Sequence, residues 1–128
     1  MLLARVVLSL QLLATAGLGL AYFIRPHEMT NLSGMLLMAP AAVTDVRAYY
    51  GGLQLGLAAF IGLCLARREL IAPALTLFTL LYSALALARI GGLWLDGGAQ
   101  QTFNLYALLL EIVSAGLCFW ALRDLQRD

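Results

Sequence analysis

Lysine is absent from this 128-residue chain, histidine occurs once, and charged residues make up 12%, about half the share usual in globular proteins. Each shortage excludes something. Eight basic residues, all arginine, stand against seven acids and leave a net charge of +1 with no basic run, which argues against a nucleic-acid partner. Two cysteines cannot build a disulfide framework. A single histidine cannot supply a zinc site or a bis-histidine haem site within one chain. Low charge combined with 62% hydrophobic residues excludes a disordered chain, which requires the reverse. Such a composition fits a small integral membrane protein.

A bilayer core about 30 Å thick needs about 20 apolar residues at a rise of about 1.5 Å each. Four stretches meet this length, at about 3–24, 44–66, 70–95 and 102–122. The first ends at Arg25-Pro26-His27-Glu28, the second before Arg67-Arg68-Glu69, the third at Asp96-Gly97-Gly98 and the fourth before Arg123-Asp124. Thr44 reads as the N-cap of the second span, with Asp45 in its first turn. Pro73 falls in the first turn of the third, where proline is tolerated. Ala14-Thr15-Ala16 resembles a signal-peptide cleavage site, but the apolar run continues to Ile24, longer than a signal core, so a retained helix is expected. The expected fold is all-α: one domain over 1–128, an integral membrane four-helix bundle. A weak internal echo, Gly62-Leu63-Cys64 and Gly116-Leu117-Cys118, is not matched in the other two spans.

An even number of spans places both termini on one face. Arg5, Arg67, Arg68, Arg123 and Arg127 lie on that side; Arg25 lies on the other, with Arg47 and Arg89 inside spans near it. The positive-inside rule therefore predicts cytoplasmic termini in a multi-pass protein of the plasma (inner) membrane. The one long connection, about 25–43, carries Met29, Leu32, Met35, Leu36, Leu37 and Met38. It is expected at the membrane interface, with a lid over the outer mouth as the alternative. Pro40 is expected to break the chain before the second helix.

Ionisable groups within the bilayer are costly, roughly 2.5–3.5 kcal/mol at a helix centre, so their positions carry the most information. Glu111 lies roughly 13 Å and Arg89 roughly 9 Å below the outer ends of their helices at the α-helical rise. Arg47 sits one turn into the second span. At helical spacing Glu111 shares a face with Asn104, Ala107, Ser114 and Cys118; Arg47 with Tyr50, Gly51 and Gln54; Arg89 with Tyr82, Ala86 and Gly92. Gln11 and Thr15 extend the polar stripe on the first helix. Arg47, Tyr50, Gln54, Arg89 and Glu111 thus form the expected polar cluster in the outer half of the membrane. Two readings stand: a buried Arg89–Glu111 pair that sets helix register, or a pocket for an anionic or carbonyl-bearing ligand with Glu111 as proton carrier. Two arginines facing one glutamate favour an anionic group.

Gly52-Leu-Gln-Leu-Gly56 permits close helix approach, and Gly51, Gly52 and Gly56 are expected at helix contacts, within the bundle or between protomers. His27 with Met29, Met35 and Met38 reads as an apolar loop and not a copper site. Cys64 and Cys118 read as small packing residues, and Trp94 and Trp120 as interface anchors. No nucleophile with a base, phosphate loop or metal motif occurs, so no catalytic residue and no metal ligand is assigned.

The segment Arg47-Ala-Tyr-Tyr50-Gly51-Gly52 after a long loop, Arg89 followed by Asp96-Gly97, and Glu111 resemble the small bacterial four-helix membrane family called domain of unknown function 4345, over nearly the whole chain. The resemblance implies four helices and points to Arg47, Tyr50, Gly51, Gly52, Arg89 and Glu111; it implies no activity. The layout is also similar to DoxX-like proteins, an analogy of fold alone. The leading expectation is a non-enzymatic binding or accessory subunit, without cofactor unless a lipid or quinone is bound. Its partners would be the bilayer and a homo-oligomer or larger membrane complex. The alternatives are a lipid- or quinone-linked enzyme or redox subunit using Glu111 as acid or base, and a small oligomeric transporter.

Overall fold

In the computed structural model, which describes residues 1–97 and 101–127, every regular element is helical. They are α1 (Leu2–Ile24), α2 (Pro26–Asn31), α3 (Pro40–Val46), a π-helical turn (Arg47–Gly52), α4 (Leu53–Ala66), a 3₁₀ turn (Arg68–Leu70), α5 (Ile71–Asp96) and α6 (Thr102–Arg127). Four helical stretches are long and apolar enough to cross a membrane: Leu2–Ile24, Pro40–Ala66, Arg68–Asp96 and Thr102–Arg127. Many of their large apolar side chains, among them Leu13, Leu80, Leu87 and Leu110, are exposed, as suits helices surrounded by lipid rather than water.

The chain divides into two compact units, Met1–Leu8 with Arg67–Asp128, and Ser9–Ala66. In the first, α5 and α6 form a helical hairpin. Ile71, Ala74, Leu75, Phe78, Cys118 and Ala121 are buried to the last few per cent. Where lipid is as apolar as leucine, such contacts stabilise by close packing and not by escape from water. α5 ends where its sequence says it should: Gly97 takes φ 54° as C-cap and its N–H donates to the Leu93 carbonyl at 3.2 Å. The expected stop extended to Gly98, which lies outside the described residues. α6 continues to Arg127, beyond the expected end at Leu122, because its polar last turn needs no apolar surroundings to remain helical.

In the second unit the helix of the second span starts earlier than the sequence pattern indicates. Its N-cap is Ala39, with Pro40 in the first turn. Thr44 is therefore inside the helix, and Pro40, expected to break the long connection before the second helix, stands at the first position of that helix. Proline's fixed φ suits the first helical position, where its missing N–H costs nothing. The stretch after α1 is partly ordered by its own hydrogen bonds. Thr30, 1% exposed, donates its hydroxyl to the Pro26 carbonyl at 2.8 Å, and Gly34 turns the chain at φ 82°. Leu36 and Met38 remain 71% and 86% exposed.

The π turn is the main departure from regularity. The Leu53 N–H bonds to the Ala48 carbonyl, five residues back, so this turn holds one residue more than an α-helical turn. Consecutive glycines at 51 and 52 weaken the α-helical preference there. One extra residue rotates α4 by about 100° relative to α3. The same turn seats Gly51 against α1: a Cβ on Gly51 would lie 3.1 Å from the Phe23 nitrogen and 3.2 Å from the Gly19 carbonyl oxygen. A Cβ on Gly19 would meet Leu55 Cγ at 2.9 Å and the Gly51 oxygen at 3.0 Å. Gly19 and Gly51 thus allow backbone-to-backbone packing. Gly52 and Gly56 do not share this role: a Cβ on Gly52 would meet only the Arg47 carbonyl oxygen at 3.7 Å, and one on Gly56 nothing within 4 Å among the described residues.

Candidate functional site

The strongest polar constellation lies in the α5–α6 hairpin. Arg89, seven residues before the end of α5, meets Glu111 of α6 edge to edge. Its Nε donates to Glu111 Oε1 at 2.8 Å and its Nη2 to Oε2 at 2.6 Å. This parallel pair of bonds is the strongest geometry available to a guanidinium and a carboxylate. Arg89 Nη1 donates to Asn104 Oδ1 at 2.7 Å, and Asn104 Nδ2 donates to Gln101 Oε1 at 2.6 Å. Gln101 Nε2 then donates to the Gly97 carbonyl at 3.1 Å. A continuous relay runs from the buried Glu111, 7% exposed, to the end of the hairpin. Among the described residues, no buried side-chain nitrogen or oxygen lacks a partner.

The helices impose this arrangement. Asn104 and Glu111 are two turns apart on one face of α6, and the short connection after α5 brings Arg89 opposite both. Beside the relay lies an open cleft of about 300 Å³, lined by Leu85, Ala88, Arg89, Gly92, Leu93, Asp96, Gln101 and Asn104. Gly92 forms part of its wall, and the Asp96 carboxylate folds back over it: Oδ2 would be 3.7 Å from a Cβ at that position. Chemically the site offers an internally neutralised ion pair, two carboxamides and one carboxylate, set against apolar walls.

The structure brings Arg89 and Glu111 together. Asn104, visible in the sequence only as a neighbour seven residues before Glu111, proves to be the third member. Asp96 and Gln101 escaped notice because at a helix end they read as turn and cap residues. The other candidates, Arg47, Tyr50 and Gln54, belong to the Ser9–Ala66 unit and make their own contacts there. Arg47 is exposed, with its guanidinium carbon 5.8 Å from the Phe23 ring centre, a cation–π distance. The Tyr50 ring lies 5.2 Å from that of Tyr22, tilted by 47°. Gln11 and Thr15, also expected on the polar stripe, are buried at 5% and 2% exposure. Thr15 donates its hydroxyl to the Gln11 carbonyl at 2.8 Å, so it satisfies itself within α1.

Four membrane-length helices and an ion pair buried in a helical hairpin define a small multi-pass membrane protein. The chain belongs to the family described as Domain of unknown function (DUF4345), whose model matches residues 3–122. No curated protein and no solved structure matches it.

Proposed function

We propose that this is a non-enzymatic binding or accessory protein of the plasma membrane, with both termini cytoplasmic, that holds an amphiphile in the cleft between α5 and α6. The observation that carries this reading is the cleft itself, whose lining sets Arg89, Asp96, Gln101 and Asn104 beside Leu85 and Leu93. A polar head against apolar walls is the surface an amphiphile complements. The bidentate pair supports a positioning role for Glu111 over one as acid or base, because both its oxygens accept from Arg89. The arginine distribution across the loops supports the cytoplasmic termini. The exposed glycines Gly52 and Gly56 leave room for a helix of another protomer or subunit to approach closely.

The test is retention of a co-purifying amphiphile. Native mass spectrometry of the detergent-purified protein is expected to show a bound molecule in the wild type. Gly92→Leu, which fills the wall of the cleft without altering a charge, is expected to lose it. Equal retention by both proteins would refute binding at this cleft.

A further inference from the structure

We infer that the cleft between α5 and α6 takes a phospholipid headgroup bearing a primary ammonium, of the phosphoethanolamine type. This rests on the binding reading above and adds the chemistry of the occupant. The argument starts from charge. Arg89 and Glu111 cancel, since both carboxylate oxygens accept from the one guanidinium. The charge left over in the cleft is Asp96, which makes no hydrogen bond or ion pair with its side chain among the described residues. A site that the residue types alone mark as anion-seeking therefore carries one net negative charge.

Asp96 is also in an unfavourable place for an acid. It is the last residue of α5, at the helix end where the backbone dipole is negative and cations are preferred. Its carboxylate folds back over Gly92 into the cleft rather than away from it. Carboxylate and helix end together make the mouth a cation site. At the mouth Gln101 Nε2, and deeper in Asn104 Nδ2, each spend one hydrogen within the relay, and each primary amide carries a second. With the Arg89 guanidinium behind it, the Asn104 donor makes the inner part suited to an acceptor oxygen. Asp96 lies two turns beyond Arg89, but its carboxylate reaches back to Gly92, only three residues or about 4.5 Å along the helix from Arg89. The cleft thus offers hydrogen-bond donors within and a negative charge at its mouth. A zwitterion with phosphate inside and ammonium outside matches that polarity, and Leu85, Ala88 and Leu93 line the remainder for acyl chain. A phosphatidylglycerol headgroup would leave Asp96 facing a like charge. A trimethylammonium group would reach it with no N–H to donate.

The experiment titrates the delipidated full-length protein with phosphatidylethanolamine, phosphatidylcholine and phosphatidylglycerol of matched chains, reading bound fractions by native mass spectrometry. A preference of about tenfold for phosphatidylethanolamine over each of the others is expected, the scale of one charge-assisted hydrogen bond. Asp96→Asn is expected to bring the three lipids within about twofold while thermal stability stays level or rises, since removing an acid from a helix C-terminus relieves the dipole. Retention of the preference by Asp96→Asn, or equal binding of phosphatidylglycerol by the wild type, overturns the inference. Free phosphoethanolamine binding as tightly as the lipid overturns a lipid as the occupant. Lipid retention that Gly92→Leu abolishes but that shows no headgroup preference leaves the cleft as a binding site and removes only the ammonium assignment. If Gly92→Leu changes nothing for any lipid, the binding reading itself fails.

Discussion

Removing one member of the Arg89–Glu111 pair is the most informative perturbation of this protein. Their side chains are 24% and 9% exposed, so Glu111→Leu would strand a guanidinium among apolar helices. Breaking a buried pair by deleting one partner costs about 3–5 kcal/mol. Asn104 still holds Nη1 and the cleft admits water to that side, which places Glu111→Leu at the lower end, about 3 kcal/mol. Glu111→Gln keeps one acceptor for Arg89 and is expected to cost about 2 kcal/mol. The double variant Arg89→Met/Glu111→Leu replaces both charges with apolar chains of similar size and should return to within about 1–2 kcal/mol of the wild type. Its residual cost lies in Asn104 Oδ1, which must then find water in the open cleft. The assay is a double-mutant cycle on unfolding in mixed detergent micelles, followed by circular dichroism. A coupling energy of at least about 1.5 kcal/mol is expected for residues in direct contact. Additive single effects, with the double variant as unstable as their sum, would refute the claim that the two charges stabilise one another.

Gly51→Ala should destabilise by about 1–3 kcal/mol as overpacking against α1, because its Cβ would meet backbone atoms of Phe23 and Gly19 at 3.1–3.2 Å. Gly56→Ala should be neutral or slightly stabilising, since alanine is the better helix former; equal thermal shifts for the two would contradict the packing described. Thr44→Ala should change stability by less than about 0.5 kcal/mol, because the helix starts at Pro40; a loss near 1 kcal/mol, typical of a missing N-cap, would move the helix start to Thr44. Reporter fusions at the C-terminus and at Gly97 are expected to report opposite sides of the membrane, the C-terminal one cytoplasmic; the same side for both would remove the four-span topology.

Much of this architecture is written in the linear pattern. Four apolar stretches of bilayer length, each ended by arginines, acids or glycine, specify four helices whatever their packing, because a backbone in hydrocarbon must bond within its own segment. Arg89 and Glu111 were legible for the same reason. A charge at that depth requires a partner, and the short connection between the third and fourth spans sets which partner is near. Tertiary structure decided what periodicity cannot express. Asn104 and Gln101 became part of the relay only when α6 was laid against α5, since a carboxamide costs too little in a helix end to announce itself. The π turn at Arg47–Gly52 was not legible, because no 3.6-residue pattern anticipates an extra residue in the backbone. That turn coincides with the seating of Gly51 on Gly19 and Phe23, a contact between residues some thirty positions apart. Local preference there was weak, with two glycines in succession, so the fit between two backbones selected the geometry of the turn.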